Sequence, residues 1–160
     1  MQLTLLTEAL FNSSVVALGE AGLDKHIDIS LSLQREIFAA QVELSEEFEK
    51  PLVVHCVKAW DELLAVKKEL KPRKTWVIHG FRGNRMLAEQ LVRKGFYLSF
   101  GARFNTEALH AAWPNRLLAE TDEAETSIED VYAAIANALN VPIPLLALEL
   151  RKNVKEVFSI

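Results

Sequence analysis

The sequence is short of the residues that would place it in several common classes. One cysteine, Cys56, in 160 residues excludes an internal disulfide framework and suits a reducing compartment, so a cytoplasmic location is expected. Six glycines and five prolines, beside a hydrophobic share of 50%, exclude collagen-like, low-complexity and disordered chains. No apolar run approaches the roughly 20 residues of a membrane-spanning helix, and Met1 to Glu8 carries no basic leader, so no membrane association is expected. A Gly-rich nucleotide loop, a CxxC pair and a serine-nucleophile motif are all missing. What is left is a soluble globular α/β domain.

Excess positive charge is also lacking. A net charge of -4 argues against a general nucleic-acid coat, yet the charge is unevenly placed. Between Lys67 and Arg103, ten Lys or Arg stand against only Glu69 and Glu89. Solvated helix faces account for this cluster at least as simply as a phosphate-attracting surface.

What is present is a recurring pattern. Four apolar runs each end in a residue able to bind a metal or move a proton: Val15 to Glu20, Leu52 to His55, Trp76 to His79, and Leu117 to Asp122. An open α/β sheet or α/β barrel builds its site from the carboxyl ends of such strands. The spacing predicts a helix over Leu3 to Phe11 and a strand over Val15 to Gly19, which runs through Glu20 to Asp24 into a loop. A helix from about Ser32 to Lys50, burying Leu33, Ile37, Ala40, Leu44 and Phe48, ends at Pro51. Strand Leu52 to Cys56, helix Trp60 to Leu70, strand Thr75 to His79 and a helix reaching Lys94 follow, with Gly95 as a left-handed cap. Strand Phe96 to Phe100, a helix at Thr106 to Trp113, strand Arg116 to Thr121, and helices over Ser127 to Leu139 and Pro144 to Phe158 complete the chain. Five strands alternating with helices call for right-handed βαβ units and parallel pairing.

Glu20, His55 and His79 form a set of two histidines and one carboxylate, which a divalent metal can use while leaving room for water. Such a water has a lowered pKa and is a nucleophile at neutral pH. Asp122 either completes a second metal position or acts as general base. Arg82, just after His79, is either a phosphate contact or plain surface, and Asp24 either orients a ligand or caps a helix. Glu120, two residues before Asp122, shares its strand face and is either a partner to the site or a hydrogen-bonded interior residue. Cys56 points to the opposite face from His55 and reads as an inert buried thiol. His26 and His110 read as surface residues.

The strings Gly19-Glu20-Ala21-Gly22-Leu23-Asp24, Val54-His55-Cys56, Ile78-His79-Gly80-Phe81-Arg82-Gly83 and Leu118-Ala119-Glu120-Thr121-Asp122 occur here in the order found in the TatD family of metal-dependent hydrolases, which the chain resembles from about Val15 onward. Gln34, Phe38 and Gln41 before Pro51, and Gly95 to Gly101, extend the match. The resemblance implies a phosphodiesterase, typically a deoxyribonuclease, acting on DNA or a small phosphodiester through one or two divalent cations (Mg, Mn or Zn) in a (β/α) TIM-type barrel of the amidohydrolase kind. It implies that Glu20 bridges the metals, that His55 and His79 hold one, and that Asp122 touches the other and handles the proton of the attacking water. The family's first strand carries a His-x-His pair, and this sequence has none. The expectation is therefore a single domain over residues 1–160 that is an incomplete barrel, truncated at the N-terminus, with an open sheet edge suited to self-association. The alternative is a catalytically inactive domain that binds a metal or a partner chain.

Overall fold

The computed structural model describes residues 2–122 and 124–160. Among them are five strands alternating with helices, paired in parallel, and two compact units, the first ending at Trp76 and the second running from Val77 to Ile160. Among the described residues no single helix is long and apolar enough to cross a membrane.

In the first unit, helix α1 (Gln2–Leu10) leads to Phe11, whose ring meets Phe48 edge-on at 5.0 Å. Strand β1 (Leu18–Asp24) pairs in parallel with β2 (Leu52–Val57). The expected strand, Val15 to Gly19, is thus displaced toward the C-terminus, and the Glu20 to Asp24 stretch expected in a loop is itself strand. Gly22 accounts for the displacement: a Cβ there would lie 1.8 Å from the His55 carbonyl oxygen, so only glycine lets the two backbones approach this closely.

Helix α2 (Leu31–Glu47) starts where the Ser30 side chain accepts the Leu33 amide, as a capping serine does. Its buried face is Gln34, Phe38, Val42 and Ser45. Leu33 and Ile37, expected in the core, are exposed, so the helix is rotated by about one residue from the sequence expectation. The cause is polar. Buried Gln34 accepts the Asp24 amide at 2.7 Å and donates to the carbonyls of Asp24 and Ile29, and Phe38 then packs edge-on against Trp76 at 5.2 Å. Helix α3 (Trp60–Leu70) has the expected bounds, with Asp61 and Glu62 in its first turn and Lys67 and Lys68 in its last, matching the helix dipole.

Strand β3 (Trp76–Ile78) brings Val77 and Ile78 into the second unit, where they pair with β4 (Tyr97–Phe100). Strand β4 is buried along its whole length and pairs in turn with β5 (Leu117–Ala119). Continuous apolar strands of this kind belong to parallel sheets covered on both faces. The connections are α4 (Arg85–Arg93) and α5 (Thr106–Ala112), each capped by an asparagine that accepts an amide three residues on. Then come α6 (Ile128–Leu139), capped by Ser127, and α7 (Ile143–Phe158). From α7, buried Asn153 donates to the carbonyls of Pro114 and Leu117 and fixes the entry to β5, while Val157 packs with Val77, Tyr97 and Leu118.

Candidate metal centre

In the second unit potential ligands follow the carboxyl ends of β3 and β5, whereas in the first Glu20 lies in the amino-terminal half of β1 and His55 near the carboxyl end of β2. In the first, the register slips between Leu18 and Ala21, so Gly19 and Glu20 together oppose the single residue between Leu52 and Val54. Such a bulge re-aims a side chain, and Glu20 is exposed as a result. Glu20 and His55 offer ligand atoms within 4.8 Å of one another.

Asp24, at the end of β1, stands beside this pair, with its Oδ2 3.2 Å from His55 Nε2. Its other oxygen accepts the His26 amide at 2.7 Å. That amide is the main reason the Asp24 carboxyl lies below the usual carboxylate range; partial burial works against it and the His55 side chain adds to it. An ionised Asp24 is the acceptor a ligand histidine needs to fix its ring orientation and tautomer. The structure places Asp24 between the His55 ring and the His26 amide. Cys56 behaves as expected of an inert thiol, since burial pushes it up to about 12.

In the second unit, His79, Glu120 and Asp122 offer ligand atoms that all lie within 4.8 Å of one another. His79 and Glu120 are largely buried, at 13% and 19% side-chain exposure, and Asp122 is exposed. Glu120 extends the β5 ladder by donating its amide to Phe100. Its Oε1 accepts the Gly80 amide at 2.6 Å and stands 3.9 Å from His79 Nδ1. Gly80 has φ +56, so the turn after His79 depends on glycine to aim that amide at Glu120. Asp122 itself sits at φ +51, a left-handed conformation that Asp tolerates better than most residues and that recurs at functional sites.

Glu120, weighed from the sequence as a partner to the site or an interior residue, stands with His79 and Asp122. Its two-residue spacing from Asp122 was visible, but its anchor lies 40 positions away. Glu120 and Asp122 also line a cavity of about 300 Å³, together with Gly80, Gly101, Thr121, Arg82 and Arg103. Arg82 is therefore at the cavity, as one of its two readings required.

The donor set suits a divalent cation. Ligands around one cation at roughly 2.0–2.2 Å stand roughly 3–4 Å apart, which small side-chain rotations reach from the observed separations. One imidazole nitrogen and two carboxylates are the donors that Mg, Mn and Zn accept.

A family model described as TatD related DNase matches residues 2–159. The chain belongs to the TatD related DNase family. A metal-dependent hydrolase of Bacillus subtilis, YabD, is 33% identical over 73% of this chain and 49% of its own length. The 3'-5' ssDNA/RNA exonuclease TatD of Klebsiella pneumoniae is 32% identical over 80% of this chain and 52% of its own. The chain thus spans about half the length of the curated relatives it matches. Among solved structures, the TatD homologue YJJV of Escherichia coli matches 99% of this chain and 70% of its own with a TM-score of 0.88 at 25% identity. The TatD assignment and the TIM-type α/β class both follow.

Proposed function

We propose that this chain hydrolyses phosphodiester bonds, those of DNA first, with the help of one or two divalent cations. The observation that carries this reading is the His79, Glu120 and Asp122 donor set beside a cavity that Arg82 also lines. The Klebsiella relative's name as a 3'-5' ssDNA/RNA exonuclease is the reason for placing single-stranded DNA ahead of a small phosphodiester.

When bound, a divalent cation polarises a phosphoryl oxygen and makes water a competent nucleophile at neutral pH. In our reading Glu20 and His55 of the first unit and His79 and Asp122 of the second would hold the one or two cations, and Glu120 is added to the second set. Asp122, exposed on the cavity wall, accepts the proton of the attacking water. Asp24 holds the ring of His55 through the 3.2 Å contact at Nε2, and the Gly80 amide holds Glu120. The Arg82 guanidinium neutralises a phosphate oxygen as the substrate enters.

The test is release of label from 3'-labelled single-stranded DNA by the purified chain in manganese, beside His79→Ala and a chelated control. Metal-dependent release that falls at least ~100-fold in the variant is expected. A folded, metal-loaded chain with no turnover would overturn the reading and leave a domain that binds a metal or a partner without catalysis.

A further inference from the structure

Arg103, which closes the basic stretch from Lys67, lines the same cavity as Arg82, Glu120 and Asp122. Elsewhere in this unit three arginines lie against carboxylates: Arg85 on Glu89 at 2.7 Å, Arg93 on Glu89 at 3.8 Å and Arg116 on Glu156 at 3.5 Å. Of the arginines in no such pair among the described residues, Arg82 and Arg103 line the cavity together with two carboxylates, whereas Arg151 does not line it. Two guanidiniums and two carboxylates around one concavity, with Glu120 held by the Gly80 amide and 3.9 Å from His79, suit a ligand that carries both kinds of counter-charge. A divalent cation answers the carboxylates, and a phosphate answers the forked guanidinium donors. At about 300 Å³ the cavity is at the small end of ligand pockets, the scale of one nucleotide rather than of a duplex.

We propose that Arg103, together with Arg82, holds the phosphate next to the one that is cleaved, so that the preferred substrate is a single strand with at least two successive phosphates. This rests on the phosphodiesterase reading. Such contacts position a strand without reading its sequence, and the resulting preference is for chain length, not base.

The test has a binding arm and a turnover arm. Binding of a fluorescent eight-nucleotide oligothymidine is followed by anisotropy in chelator over a range of salt concentrations, for the parent, Arg103→Gln, Arg103→Lys and the Arg82→Gln/Arg103→Gln double variant. The double variant is expected to weaken binding and to lower the slope of log affinity against log salt by about 0.7, the value for one phosphate of a single strand. Arg103→Lys, which keeps the charge and loses the fork, should retain most of that slope. In turnover, Arg103→Gln should lower kcat/KM about tenfold on a trinucleotide with two phosphates and leave a dinucleotide with one phosphate within about twofold. An unchanged salt slope, or equal losses on both substrates, would overturn the proposal. A lowered slope in a chain without any turnover would support the phosphate site and overturn the phosphodiesterase reading instead, so the two failures are distinguishable.

Discussion

The Gly80 amide donates to Glu120 Oε1 at 2.6 Å, and through that one bond the turn after β3 sets the carboxylate at the end of β5. It joins the two strings of the second unit that carry His79 and Asp122. Glu120→Gln keeps the size of the side chain and an acceptor oxygen but removes the charge. We expect a ~10–100-fold loss of metal affinity with little change in Tm, the usual result when a charged partner of a metal site is neutralised. Unaltered manganese affinity would remove Glu120 from the site.

Asp122 holds a left-handed backbone conformation at φ +51. Glycine adopts that conformation without steric cost, whereas other residues are held there at about 1–2 kcal/mol. Asp122→Gly should therefore be as stable as the parent or more so in urea unfolding while losing nearly all turnover. A variant that is both active and destabilised would contradict the assignment.

The approach of β1 to β2 predicts a contrast between two glycines. Gly22→Ala would set a methyl 1.8 Å from the His55 carbonyl oxygen, and we expect a loss of about 3 kcal/mol or more, with the Glu20 and His55 pairing disturbed. Gly101→Ala meets nothing closer than 3.7 Å and should change stability by less than about 1 kcal/mol. Chemical unfolding of the two variants side by side decides the matter.

Lys67 lies with its ammonium 4.6 Å from the centre of the Trp76 ring, and burial lowers its pKa from 10.5 to about 8, with Glu46 partly opposing. Below about 8 the group is protonated in both states, and the fold bears the full cost of burying the charge. Between about 8 and 10.5 the folded chain releases its proton first, so the unfolded chain binds more protons and stability rises with pH. The parent should therefore gain on Lys67→Met across that window. The Cys56 thiol, pushed up to about 12, acts in the opposite direction but equally in both proteins and cancels in the difference. A difference that stays flat with pH would show that the ammonium is solvated in the fold.

The order of strands and helices was readable because its signals are local. Asp61 and Glu62 at one end of α3 and Lys67 and Lys68 at the other mark its bounds within 11 residues. The misplacement of β1 has a different origin. Val15 to Leu18 has strand propensity, while the feature that makes Leu18 to Asp24 the strand is a close backbone approach between Gly22 and His55, which no local pattern encodes. The rotation of α2 followed from Gln34, a polar residue buried because three backbone groups need it. His55, His79 and Asp122 were legible as strand-end residues. Glu120 was legible only as one of two alternatives and Arg103 only as the end of a basic stretch, since the placement of the first depends on Gly80 and that of the second on a cavity shared with residues far along the chain.

Manganese titration followed by electron paramagnetic resonance, on the parent chain beside His79→Ala and Asp122→Asn, addresses the central claim without requiring turnover. The account predicts a bound signal in the parent and an affinity at least ~10-fold weaker in each variant. Equal binding by all three proteins would contradict it.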